Sequence, residues 1–178
     1  MPSAGACRSV ASVNQFNAGL LILRVVFGLF LAYHGYNKFF GPGGLGGTAR
    51  WFEGIGMRWP EWQARLAATT EVGSGVLMAA GLMTPLAAAG MIGIMTVAIV
   101  VAHWKVGFFI FKPDQGWEYC ASIAVTAFVI AMVGPGRWSL DHAIGINWHG
   151  WTGAVIAFVA GVGGALLQLA ISYRPKAA

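Results

Sequence analysis

The sequence predicts an all-α integral membrane protein: a four-helix transmembrane bundle core, a fifth C-terminal transmembrane helix, and an amphipathic interfacial segment in the first loop. Of the 178 residues, 57% are hydrophobic and only 10% are charged, whereas soluble domains carry about 25% charged residues. Five apolar runs approach the length of about 20 residues that a spanning helix needs. Stretches rich in glycine and proline end the first and fourth runs.

The first three predicted spans follow from these runs. The first covers Gly19–Phe40 and ends at GPGGLGG, and residues 1–18 before it lack the pattern of a signal peptide, so we expect a short tail there. The second is about Arg65–Met83. The third, Pro85–Trp104, begins with a proline, whose missing N–H costs least at a helix start. Only Thr84 separates the second and third spans, which predicts a tight hairpin.

The last two predicted spans complete the chain. The fourth is about Trp117–Val133 and the fifth about Gly150–Ser172. Small residues recur once per turn in the fifth span and form a ridge that favours close approach of another helix. They are Gly153, Ala157, Gly161 and Ala165. The chain therefore divides into a tail at 1–18, a membrane core at 19–142, and an extra helix with a short basic tail at 143–178.

The first loop has an amphipathic pattern. Apolar residues recur at steps of three or four, with arginine and glutamate between them, at Trp51, Ile55, Trp59, Trp62 and Leu66. This spacing predicts a segment that lies in the membrane interface with tryptophans at the headgroups. Gly54, Gly56 and Pro60 should divide it into two pieces. An ordinary loop with aromatic anchors is the alternative.

The net charge of +5 comes from scattered basic residues, a pattern that fits lipid contact and membrane orientation rather than nucleic acid. With five spans, Arg8 and Arg137 fall on the N-terminal side. The opposite side carries Lys38, Arg50, Arg58, Arg65, Lys105, Lys112, Arg174 and Lys176. The positive-inside rule then places the N-terminus outside and the C-terminus in the cytoplasm.

Cys7 and Cys120 form no C-x-x-C pair, so we expect unpaired thiols.

Ionisable residues inside the apolar runs are costly, because an arginine at a helix centre costs about 2.5–3.5 kcal/mol on insertion scales. One face of the first span carries Arg24, His34 and Lys38. Arg24 lies about 21 Å from Lys38 along the helix axis. It therefore needs a separate partner, or lipid headgroups at the far interface.

Ionisable side chains from four spans belong to one end of the predicted bundle. His34 and Lys38 lie near the end of the first span, and Glu71 lies about two turns inside the second. His103 ends the third span and Glu118 begins the fourth. A carboxylate at Glu71 should pair with Lys38 or His34, or hold a proton. We expect these residues to meet in one functional pocket; a purely structural polar network is the alternative.

Five segments occur in a characteristic order: RVVFGLFLAYHGYNKFFG, FEGIGM, AATTEVGSGVLMAAGLMTPLAA, GWEY and GPGRWSLDH. Together they resemble the DoxX family of small bacterial membrane proteins over about residues 20–142. The resemblance implies a four-helix core in the bacterial inner membrane, and it leaves the fifth span as a departure and a candidate assembly helix. The recurring positions of the family fall on Arg24, Gly28, His34, Gly35, Lys38, Glu71, Gly75, Glu118, Gly134, Gly136 and Asp141.

The resemblance also implies a link to thiosulfate:quinone oxidoreductases, terminal quinol oxidase subunits and complexes that handle oxidative or thiol stress. A quinone-interacting membrane subunit of a redox complex is the first hypothesis. His34 and Lys38 would donate hydrogen bonds to the quinone, and Glu71 and Glu118 would relay protons. Two further residues would complete the quinone site, His103 and Trp51.

The second hypothesis is a non-catalytic assembly or anchor subunit of a respiratory or oxidative-stress complex. Its polar cluster would fix the helix register, and the small-residue ridge of the fifth span would dock a partner. The expected partners are the lipid bilayer and other subunits, with a homo-oligomer as a further option and no nucleic acid.

Other chemistries find less support in the sequence. No Rossmann glycine pattern that follows a strand, and no C-x-x-C or C-x-x-C-H motif, indicates flavin, nicotinamide or covalent haem. The electron donor is therefore expected to be a partner protein or a small reductant such as thiosulfate. His34, His103 and Glu71 have the chemistry of metal ligands but no local ligand spacing, so no metal or haem site is expected. Buried ionisable residues also mark transport pathways, but no repeat or broken helix pair favours transport.

Overall fold

A computed structural model describes residues 4–175, with side chains from residue 13 onward. The expectations for Cys7, Arg8 and Lys176 therefore lie outside the described side chains. The helices, in chain order, are α1 (Ala4–Phe40), α2 (Gly44–Gly54), α3 (Pro60–Ala80), α4 (Thr84–Ala98), α5 (Glu118–Val133), α6 (Leu140–Ala143) and α7 (Trp151–Ser172). A π-helical turn, Ile99–His103, continues α4. The prediction of an all-α membrane protein is confirmed.

Within the part of the chain that the structure describes, three helical segments are long and apolar enough to cross a membrane: Val13–Phe40, Thr84–His103 and Trp151–Ser172. α5 is a shorter apolar helix of 16 residues. α3 completes the bundle but carries Glu71 in its interior. Five spans therefore remain a prediction. α1 begins well before Gly19, the predicted start of the first span, because no proline lies between Ala4 and Pro42.

Glycines set the close approach of α1 to α3. A Cβ atom on Gly28 would collide with the backbone of Gly75 and Ala79, and one on Gly75 would collide with the backbone of Gly28 and Ala32. Small residues are favoured at such helix contacts because they let two backbones come together. This contact fixes the two helices that carry Lys38 and Glu71.

The predicted hairpin between the second and third spans is present and is capped by a distant carboxylate. Residues 81–83 connect α3 to α4, with Gly81 and Met83 in left-handed conformations. Asp141 accepts the Met83 N–H at 2.6 Å, and its other oxygen accepts the Thr84 N–H at 2.9 Å and the Thr84 hydroxyl at 2.7 Å. These bonds satisfy donors that the start of α4 would leave unpaired.

The small-residue ridge of α7 packs within its own bundle. Gly153, Ala157, Gly161 and Ala165 are all buried. A Cβ atom on Gly161 would meet Ala89 and Ile92 of α4. The close helix packing expected of the ridge is confirmed, but the proposed docking of a partner on it is wrong, because α4 already covers that surface.

The first loop divides as predicted. α2 ends at Gly54, Gly56 and Trp59 adopt left-handed conformations, and α3 begins at Pro60. The end of α7 then braces this turn: the Arg58 N–H donates to the Ser172 carbonyl, and the Arg174 N–H donates to the Gly56 carbonyl, both at 2.8 Å. The location of α2 in the membrane interface stays a prediction.

Candidate functional site

A cavity of about 350 Å³ lies among α1, α2, α3, the end of α4 and α5. This volume is at the lower end of the range for small-molecule sites, about 300–1,000 Å³. Most of its lining is apolar. Polar side chains from four helical elements line its inner wall, among them His34, Lys38, Glu71, His103 and Tyr119.

An ion pair between Lys38 and Glu71 is the main charged feature of this cavity. The Lys38 Nζ lies 2.8 Å from Oε1 and 2.6 Å from Oε2 of Glu71. The Glu71 side chain is only 7% exposed, whereas that of Lys38 is 25% exposed. The predicted pairing of Glu71 with a cation is confirmed. The pair places an ammonium group, already balanced by its carboxylate, on the cavity wall.

His34 and Trp51 line the same cavity from α1 and α2. His34 lies one helical turn before Lys38, and its side chain is exposed. Within the described residues its ring makes no hydrogen bond, so both ring nitrogens are open to a ligand. Trp51 is also about half exposed, at 49%. Together with Phe30 and Tyr33, which are 64% and 70% exposed, it gives the cavity an aromatic rim.

The π-helical turn sets the position of His103. The Trp104 N–H bonds to the Ile99 carbonyl at 2.7 Å, five residues back. Such single π turns insert one residue into an α-helix and occur often at functional sites. His103 lines the cavity, and both its ring nitrogens are engaged: Nδ1 lies 2.6 Å from the Gln115 carbonyl oxygen, and Nε2 lies 2.7 Å from the Tyr119 hydroxyl.

Glu118 does not join the other predicted residues. Its Oε2 accepts the Ile110 N–H at 3.2 Å in the loop between α4 and α5, and its side chain does not line the cavity. The next residue, Tyr119, lines the cavity instead. Adjacent residues on a helix point about 100° apart, so these two side chains leave α5 in different directions. Sequence reasoning missed Tyr119, although the quoted GWEY segment contains it.

The donor groups do not assemble into a metal site. Across the side chains described for residues 13–175, no three His, Cys, Asp or Glu residues come together in an arrangement that could hold a metal ion. Lys38 occupies both oxygens of Glu71. Cys120 is a free, buried thiol.

Arg24 belongs to a second polar cluster at the other end of the bundle. Its side chain is fully buried, so of the two predicted alternatives the separate partner is confirmed and contact with lipid headgroups is wrong. One guanidinium nitrogen donates to the Ala79 carbonyl at 3.2 Å and the other to the Trp138 carbonyl at 2.6 Å. The Ala79 carbonyl is one of the last in α3, where carbonyl groups lack helical partners and carry partial negative charge. Arg24 therefore ties α1 to α3 and to the segment before α6.

Comparisons with known proteins agree with the resemblance. A family model described as DoxX matches residues 19–104. The "Uncharacterized membrane protein Rv3486" of Mycobacterium tuberculosis is 30% identical over 133 residues, which cover 70% of this chain and 80% of that protein. The "Putative oxidoreductase CatD" of Bacillus subtilis is 30% identical over 130 residues, which cover 72% of this chain and 88% of that protein. No solved structure matches the chain at a significant level.

Proposed function

This chain belongs to the DoxX family of membrane proteins, and we propose that it is the quinone-binding membrane subunit of a redox complex. The similarity to a protein named as an oxidoreductase supports a general redox-associated role in the membrane. The assignment to quinone depends on the cavity. The bacterial inner membrane as its location, and other subunits as its partners, are parts of the same proposal.

The observation that carries the proposal is an apolar cavity with hydrogen-bond donors on its wall and exposed aromatic side chains at its rim. A quinone ring is flat and apolar, and its two carbonyl oxygens each need a donor. Lys38 supplies an ammonium donor that Glu71 keeps balanced at 2.6 Å. The rim residues Phe30 and Tyr33 are exposed and belong to Val13–Phe40, a segment long and apolar enough to span a membrane, which suits entry from the lipid phase.

When bound, a quinone accepts two electrons and two protons and leaves as a quinol. In this proposal the electrons come from a partner reductase or a small reductant such as thiosulfate. Lys38 and His34 bind the carbonyl oxygens by hydrogen bonds, and Lys38 holds a proton next to them. Glu71 stabilises the ammonium form of Lys38, because a buried cation without a partner is strongly destabilised. Glu118 lies outside this site.

The test is to purify the protein in a mild detergent and to measure quinone in the lipid extract by mass spectrometry. Ala98 lines the cavity, so Ala98→Phe should fill it and lower the quinone-to-protein ratio about tenfold or more. Val125 on α5 is 62% exposed, so Val125→Phe is the matched control and should keep the wild-type ratio. Equal quinone in all three proteins, or none in the wild type, would contradict the proposal.

A further inference from the structure

Two departures from regular backbone geometry converge on His103. The first is the π turn at Ile99–His103, which places the ring at the cavity. The second is Gln115, a non-glycine residue in the left-handed region at φ 54°, whose carbonyl lies 2.6 Å from His103 Nδ1. Backbone conformations of this kind are rare and tend to persist at functional sites. Both features fix the orientation of one imidazole ring.

The hydrogen bonds of His103 determine which nitrogen exchanges a proton. A carbonyl oxygen only accepts, so Nδ1 must carry a hydrogen and donate it to Gln115. Nε2 is therefore the nitrogen that changes state. In neutral His103 it accepts from the Tyr119 hydroxyl at 2.7 Å; in the imidazolium form it donates to the Tyr119 oxygen. In the second state the phenolic hydrogen is free to point into the cavity.

We infer that Tyr119 is a proton donor to a ligand carbonyl oxygen in this cavity and that His103 is the positioning residue that reloads it. The inference rests on the proposed quinone site. As two electrons arrive from the partner reductant, the Tyr119 O–H bond breaks and a bond from that hydrogen to one ligand oxygen forms, while the other ligand oxygen takes its proton from solvent water. The Nε2–H bond of His103 breaks in turn and restores the Tyr119 hydroxyl. His103 ends neutral, with its hydrogen still on Nδ1.

A purely structural pair would also join α4 to α5, so the test must report on the ligand. The full chain is purified and loaded with a short-tailed quinone labelled with ¹³C at its carbonyl groups, and the carbonyl bands are recorded by infrared difference spectroscopy. A hydrogen bond from Tyr119 lowers a carbonyl frequency. Tyr119→Phe should therefore shift a labelled band to higher wavenumber, and His103→Gln should shift it partly. Tyr36→Phe, which changes an exposed tyrosine of α1 outside the cavity, should leave the bands unchanged.

The outcomes separate this inference from the function on which it rests. If the wild-type protein binds no quinone, the proposed function fails. If quinone binds and the bands of wild type and Tyr119→Phe coincide, the proposed function stands and the role of Tyr119 is overturned. Should Tyr119→Phe not fold, infrared difference spectra are recorded from wild-type and Tyr33→Phe proteins that carry ¹³C-labelled tyrosine. Tyr33→Phe removes the other tyrosine that lines the cavity. A tyrosine band must change on quinone binding in both, and an unchanged band would overturn the inference.

Discussion

Lys38 on α1 contacts both carboxylate oxygens of Glu71 on α3, at 2.8 and 2.6 Å. The same two helices also approach closely through glycines, at Gly28 against Gly75 and at Gly35 against Ala68 and Val72. Each charge is acceptable in the apolar interior mainly because the other is present. The site and the packing of α1 on α3 are therefore linked.

Removing one partner of this pair should cost more than removing both. Lys38→Met leaves the Glu71 carboxylate buried and unpaired, and we expect a loss of about 3–5 kcal/mol in the free energy of unfolding. The double variant Lys38→Met, Glu71→Leu should recover most of that loss. Thermal unfolding midpoints in detergent measure the effect, with the exposed Lys105→Met as a control. A double variant no more stable than Lys38→Met would contradict the account.

Arg24 should not tolerate replacement by lysine. Its planar guanidinium donates to the carbonyls of Ala79 and Trp138 at once, and a single ammonium group cannot reproduce that fork. We expect Arg24→Lys to lower the free energy of unfolding by about 1.5–3 kcal/mol, the value of one hydrogen bond to a charged group. The exposed Arg137 provides the control substitution, Arg137→Lys. Indistinguishable thermal midpoints for the two variants would show that Arg24 is held by charge alone.

Two glycines of α3, Gly73 and Gly75, should respond in opposite ways to replacement by alanine. At Gly75 an added methyl group would collide with the α1 backbone, whereas at Gly73 it would meet nothing within 4 Å. Gly75→Ala should therefore destabilise the fold by about 1–3 kcal/mol, while Gly73→Ala gains up to about 1 kcal/mol of helix propensity. The same thermal measurement compares them. Equal responses would mean that α1 and α3 are not in close contact.

The helices and the Lys38–Glu71 pair could be predicted from the sequence because their causes are local or strongly constrained. Long apolar runs specify the helices, and Gly54, Gly56 and Pro60 specify the break in the first loop. A carboxylate in an apolar helix needs a cation as its partner, and few cationic side chains in the sequence lie at the depth of Glu71. The number of spans does not follow as directly, because α5 has only 16 residues and α3 carries Glu61, Arg65 and Glu71.

The rest of the site depends on tertiary contacts that periodicity does not encode. A π turn moves His103 relative to a regular helix, and no residue pattern in Ile99–His103 marks it. Whether Glu118 or its neighbour Tyr119 enters the cavity depends on how α5 is rotated about its axis. The partners of Arg24 are backbone carbonyls, 55 and 114 residues distant in the chain.

The most direct test of the central claim, that this cavity binds quinone, is photolabelling in native membranes with an azidoquinone, followed by mass spectrometry of the labelled peptides. The account predicts label on the peptides that contain His34, Glu71 or Tyr119. Excess unlabelled quinone should remove this label, and so should the cavity-filling Ala98→Phe substitution. Label confined to the lipid-facing side of α7, or label that excess quinone does not remove, would contradict it.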